Sequence, residues 1–155
     1  MESVWDYPRP PRLEPVAKTL KVVLGGAVIA ETTRGHRVLE TSHPPGYYFP
    51  LADVDARALV ASRGRGSHCE WKGAASYYDL VGGDGRRIER AAWTYHAPTR
   101  GFEAIRDAVA FYPAAMDACT VDGELVIPQP GGFYGGWITA DIAGPFKGAP
   151  GTMGW

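Results

Sequence analysis

The chain has little of what would tie it to a metal, a membrane or a nucleic acid. Its 155 residues include two cysteines, Cys69 and Cys119, and no Cys-x-x-Cys pair. A structural zinc site needs such paired ligands, so neither a metal nor another cofactor is expected. One disulfide between the two remains open, and free thiols in a reducing compartment are the preferred reading. No run of about 18 apolar residues occurs, so no helical span is expected. The formal net charge is −1, which gives no global pull toward nucleic acid or an anionic membrane. Met1-Glu2-Ser3 opens an acidic, proline-rich stretch with no apolar h-region, and the expected location is cytoplasmic. A Gly-x-x-x-x-Gly-Lys-Ser/Thr phosphate loop is also missing. The arginine clusters at 57, 63 and 65 and at 86, 87 and 90 read as a solvated loop and a solvated strand end.

What the chain does have is apolar residues (45%), glycine (20) and rings (12% aromatic), enough for one globular domain at this length. Residues 1–15 form a proline-rich arm carrying Trp5 and Tyr7, expected to dock on the domain or on a neighbouring subunit. Residues 16–127 read as a single β-rich domain. Two apolar runs flank Gly25-Gly26, and Asp122-Gly123 splits 119–126; both are hairpin signals. Val38-Leu39-Glu40 and Tyr47-Tyr48-Phe49 add strands, with His43-Pro44-Pro45-Gly46 breaking the chain between them. Residues 67–73 and 76–81 read as strands, and 87–95 pairs back after the Gly82-Gly83-Asp84-Gly85 turn. Apolar stripes predict short helices over 51–62 (Leu51, Val54, Ala58, Leu59) and over 99–110 (Phe102, Ile105, Ala108, Val109), the second capped by Thr99. Residues 128–155 hold eight glycines, four prolines and five aromatics. Such a segment forms no long regular element, yet Phe133, Tyr134, Trp137, Phe146 and Trp155 are too apolar for a solvated tail. An ordered, irregular wrap over the domain or over a dimer partner is expected.

The run His68-Cys69-x-Trp71-Lys72-Gly73-x-Ala75-x-Tyr77-Tyr78, followed by Ala92-Trp93-x-Tyr95 and Ala110-Phe111-Tyr112-Pro113, resembles the bacterial and fungal family called domain of unknown function 427. Tyr48-Phe49-Pro50 with Asp53-Val54 belongs to the same resemblance, which covers about residues 16 to 127. The resemblance implies a mainly β fold of coiled antiparallel sheets, β-tent-like, with one or two short helices. Architectural relatives often carry zinc on paired Cys-x-x-Cys knuckles, which this chain lacks. The family has sometimes been labelled a nucleotidyltransferase. Such chemistry needs two carboxylates to hold Mg²⁺. Asp53-x-Asp55 has the spacing, but its setting reads as the first turn of a helix, where carboxylates complement the dipole.

The ring-rich segments point instead to a concave site. The candidate ligand-binding residues are His68, Trp71, Lys72, Tyr78, Trp93, Tyr95 and Tyr112. On a continuous strand His68, Glu70 and Lys72 share one face and Cys69 and Trp71 the other, which keeps a Cys–His dyad from forming. His68 and Lys72 are then polar handles for an anion or a carbonyl; the competing reading makes them satisfied surface groups. Cys69 reads as a packing residue before a nucleophile. The rings serve either a ligand or cross-strand packing. Tyr77 and Tyr78 face apart, so one is core and the other exposed or pocket-lining.

Three readings follow. The first is a protein binding a small, nucleotide-like or anionic molecule in an aromatic pocket, with no nucleic acid or membrane partner. The second is an enzyme using Lys72 or His68 as acid or base at that site. The third is an interaction domain that homo-oligomerises through its aromatic C-terminal extension.

Overall fold

A computed structural model describes residues 1–64, 66–69 and 71–155; Arg65 of the basic cluster and the placement of Glu70 beside His68 lie outside the described residues. The architecture is mainly β, built from antiparallel sheets and one short parallel pair, Glu2–Ser3 with Ile142–Ala143. A four-stranded sheet runs Glu124–Leu125, Ala118–Val121, Leu20–Leu24, Ala27–Thr32. Both predicted hairpins are in it. Leu24 pairs with Ala27 across Gly25-Gly26, and Val121 with Glu124 across Asp122-Gly123. A five-stranded sheet runs Val109–Phe111, Arg87–Thr94, Gly73–Val81, Leu59–Ala61, with Ser67–Cys69 also pairing with Gly73–Val81. A three-stranded sheet holds Arg12–Val16, Gly35–Leu39 and Gly46–Tyr48.

The helical regions are single 3-10 turns, and the two predicted helices give way to turn and strand. Leu51–Asp53 and Ala56–Ala58 are separate turns, the second capped by the Asp55 carboxylate accepting the Arg57 N–H at 3.0 Å. Leu59–Ala61 then becomes an edge strand on Gly73–Val81. Leu51, the first residue of the supposed apolar stripe, is exposed. In the second region only Glu103–Ile105 makes a turn, and Asp107 at φ +60° interrupts any continuation. Val109–Phe111 pairs with Ala92–Thr94 instead. Apart from the exposed Leu51, the stripes bury or half-bury their apolar residues in turns and in two strands that close sheet edges, which satisfies more backbone than an isolated short helix would.

The main core gathers Leu20, Leu24, Phe49, Leu80, Phe111 and Trp137. Trp137 comes from the C-terminal extension and is fully buried. Its indole N–H donates to the Phe111 carbonyl at 3.2 Å, its ring packs on Tyr47 and Phe49, and its backbone N–H donates to the Pro45 carbonyl at 2.8 Å. A second core cluster contains Val38, Tyr48, Ala75, Tyr95, Ile105 and Ala110. The N-terminal arm lies on the chain's own surface: Tyr7 is buried, and Trp5 meets Trp155 edge-on at 5.3 Å. Both cysteines are free thiols; burial pushes that of Cys119 up to about 12.

Arg90 sits at φ +50° within the register shift that separates the Ile88 and Ala92 pairings. Its backbone N–H donates to the buried Asp79 carboxylate at 2.9 Å, and the Arg87 guanidinium donates to the same group at 2.6 Å. These bonds, the Arg90 N–H first, hold the Asp79 carboxyl below its usual range.

Two stability predictions follow from this packing. Trp137→Ala should cost about 3–5 kcal/mol in urea unfolding, the range for truncating a large buried ring; a cost under about 1 kcal/mol would show that the extension is peripheral to the core. Asp79 has a depressed folded-state pKa, so its contribution is present above the unfolded carboxyl range and lost as pH falls through the folded value. Asp79→Asn should therefore lower the urea midpoint at neutral pH, with the gap to wild type closing below about pH 4. A gap that ignores pH would assign the loss to packing instead.

Candidate functional site

One cavity of about 330 Å³ lies between the five-stranded sheet, the three-stranded sheet and the C-terminal extension. Its floor begins with a turn. Cys69 pairs with Gly73, so the chain reverses at Trp71-Lys72 rather than continuing as a strand. The Thr99 hydroxyl donates to the Trp71 carbonyl, and the Thr99 N–H donates to the Lys72 carbonyl at 3.0 Å. Thr99, the supposed helix cap, thus spends both groups fixing this turn. The alternation of faces predicted for 68–72 fails for the same reason, and Lys72 comes beside Cys69.

The half-buried Lys72 places its ammonium 6.0 Å from the Tyr95 ring centroid. Burial opposes its charge, but the Tyr48 and Cys69 side chains, which become anionic only at alkaline pH, and the Glu40 carboxylate outweigh burial and hold its pKa above the ordinary lysine value. Among the described residues no carboxylate forms an ion pair with it. Burial raises the phenols of Tyr48 and Tyr95, and of Tyr112 with help from Tyr77, so all three are neutral hydroxyls at neutral pH. The Trp93 indole N–H donates to the Tyr48 hydroxyl at 3.2 Å, and the Trp93 ring stands 4.6 Å from that of Tyr112.

Six of the seven predicted residues line this cavity: His68, Trp71, Lys72, Trp93, Tyr95 and Tyr112. His68 is exposed there. Tyr78 is not among them; it packs against the main core. Tyr77 takes its place, because Trp93 pairs directly with Tyr77 in the register of the two strands. The Tyr77 hydroxyl shares a 2.6 Å hydrogen bond with the Ser67 hydroxyl.

Sequence reasoning missed the opposite wall. The extension supplies Gln129, Phe133, Tyr134, Gly135, Gly136 and Lys147. Gly135 lies flat on the rings of Trp93 and Tyr112; a Cβ there would stand 2.3 Å from the Trp93 ring. Tyr134 meets the His43 ring edge-on at 5.3 Å and lies 5.6 Å from the Lys147 ammonium. Burial, the largest influence, lowers the His43 pKa, and its Nδ1 hydrogen-bonds the Thr41 carbonyl at 2.9 Å. Glu40, also lining the cavity, is 3.6 Å from the Arg9 guanidinium. The one available signal was the placing of Phe133-Tyr134 between two glycine pairs, which lets backbone approach rings. A second cavity, of about 450 Å³, shares Tyr77, Tyr112, Phe133 and Tyr134 with the first.

The Asp53-x-Asp55 pair is occupied elsewhere. The Asp53 carboxylate accepts from the Thr32 hydroxyl at 2.6 Å and from Arg34 at 3.0 Å, while Asp55 caps its turn. Neither residue lines the cavity.

No curated protein matches the chain. A family model described as domain of unknown function (DUF427) matches residues 12–122, a span that includes the Lys72 turn, Trp93, Tyr95 and Tyr112 and stops short of the extension. With well over half of its length inside that match, the chain belongs to the DUF427 family.

Proposed function

We propose that this protein binds a small, flat molecule bearing an anionic group, nucleotide-like acids included, in the 330 Å³ cavity. The observation that carries this reading is Lys72: a half-buried ammonium, facing rings, that forms no ion pair with a carboxylate of the described residues. A charge partly withdrawn from water without a carboxylate in contact is costly, and an anionic ligand offsets that cost. Trp93, Tyr95 and Tyr112 offer ring faces, and neutral tyrosine hydroxyls offer donors. The volume is at the small end for ligand sites and suits one or two fused rings.

Binding is favoured over general-base or Schiff-base chemistry at Lys72, because a raised pKa keeps the amine protonated where such chemistry needs it free. The extension gives its large indole to the core and several residues to the cavity, which supports a role in the site ahead of one in self-association.

Calorimetric titration with 2-naphthoate and its neutral counterpart 2-naphthamide tests the proposal. Wild type should bind the carboxylate more tightly than the amide. Lys72→Gln should weaken the carboxylate by about tenfold or more, the worth of a hydrogen bond to a charged group, and leave the amide nearly unchanged. Because the folded Lys72 pKa is raised, its ammonium persists and the wild-type carboxylate affinity should hold from about pH 6 to 9. Equal binding of both compounds, or a Lys72→Gln protein that keeps the preference, would sink the reading.

A further inference from the structure

The family match ends at residue 122, yet one of the two lysines facing the cavity lies beyond it. Lys147 is on the C-terminal extension, and its position is specifically built. Its backbone N–H donates to the Ser42 carbonyl at 2.9 Å. Its carbonyl accepts from the Gln129 side-chain amide at 2.8 Å, and the same amide's oxygen accepts the Gly136 N–H at 3.0 Å. Gln129 is buried, so its amide joins the two stretches of extension that bracket the cavity. Next to Lys147, Gly148 crosses Pro130 so closely that a Cβ would stand 1.8 Å from the Pro130 carbonyl oxygen. A buried amide clamp and a backbone crossing open only to glycine are a costly way to hold a solvated lysine, and a direct way to hold a lysine over a site.

The charges of the cavity agree with this. Among the described residues, its permanently charged side chains are Lys72, Lys147 and Glu40, with the imidazoles of His43 and His68 beside them. Glu40 is already answered by Arg9 at 3.6 Å and lies 3.8 Å from His43. Lys147 meets the Tyr134 ring and, among the described residues, forms no ion pair with a carboxylate. The two ammoniums therefore come from different parts of the chain: Lys72 from the matched domain, Lys147 from the extension.

We infer that the ligand carries two anionic groups, one held by Lys72 and the second by Lys147, and that Lys147, positioned by Gln129, is the residue that selects such a ligand over a singly charged one. This rests on the proposed function, since it places a second group on the same bound molecule. The chemical class is a ring-bearing molecule with two anionic groups, two carboxylates or a carboxylate and a phosphate, on a flat body.

The test uses the full chain and calorimetric titration with 2-naphthoate and with the 2,3-, 2,6- and 2,7-naphthalenedicarboxylates, which sample different separations of the two charges. The best dicarboxylate should bind wild type at least about tenfold more tightly than 2-naphthoate, the worth of one further charge-assisted contact. Lys147→Gln should erase that ratio while lowering 2-naphthoate affinity far less than dicarboxylate affinity, Lys147→Arg should retain most of it, and Lys72→Gln should weaken both classes. Gln129→Leu, checked for an intact fold by thermal unfolding, should reduce the ratio without abolishing 2-naphthoate binding; a merely structural role would lower both affinities together. If no dicarboxylate exceeds 2-naphthoate, or the ratio survives in Lys147→Gln, the second anionic subsite is wrong while the binding reading stands. If wild type binds neither class, both fail.

Discussion

Burial of the Trp137 indole converts a segment rich in glycine and proline into the wall of a site. Without an internal anchor such a segment would stay solvated, because its short pairings cannot offset the entropy of ordering it. Trp137 supplies the anchor by placing a large ring among Tyr47, Phe49 and Phe111 and satisfying its N–H on the Phe111 carbonyl. Gly135 and Gly136 immediately precede it, so the depth of Trp137 sets how closely the extension lies on Trp93 and Tyr112. The cavity exists because the core of the matched domain accepts a residue from outside the match.

The parts of the fold legible in the sequence were those fixed by contacts a few residues apart. Gly25-Gly26 and Asp122-Gly123 carry the chemistry of two-residue turns, and the strands they join pair as expected. The two helical stripes misled because an apolar face of moderate length serves a turn-and-strand segment equally well. The decision came from Gly73–Val81 and Arg87–Thr94, whose edges needed partners from distant sequence.

The same boundary runs through the candidate site. The ring-rich motif identified most of the floor, yet Tyr78 was named where Tyr77 belongs, since only the pairing of Tyr77 with Trp93 decides which tyrosine faces the cavity. The turn at Lys72 was hidden because its fastener is Thr99, far along the chain. Lys147, Tyr134 and Gln129 were hidden more deeply, behind a composition that announces order but gives no register.

The roof of the cavity is held by groups other than those that face it. Trp137, Gln129 and the glycine crossings secure the backbone, while Tyr134 and Lys147 are half-buried side chains that carry no part of the main core. A substitution at either of these two positions changes the charge and shape of the cavity wall with small consequence for folding. Here side chains can change along the extension while the floor and the fold stay as they are, so that two chains sharing the matched domain can differ in this wall of the cavity without a compensating change in stability.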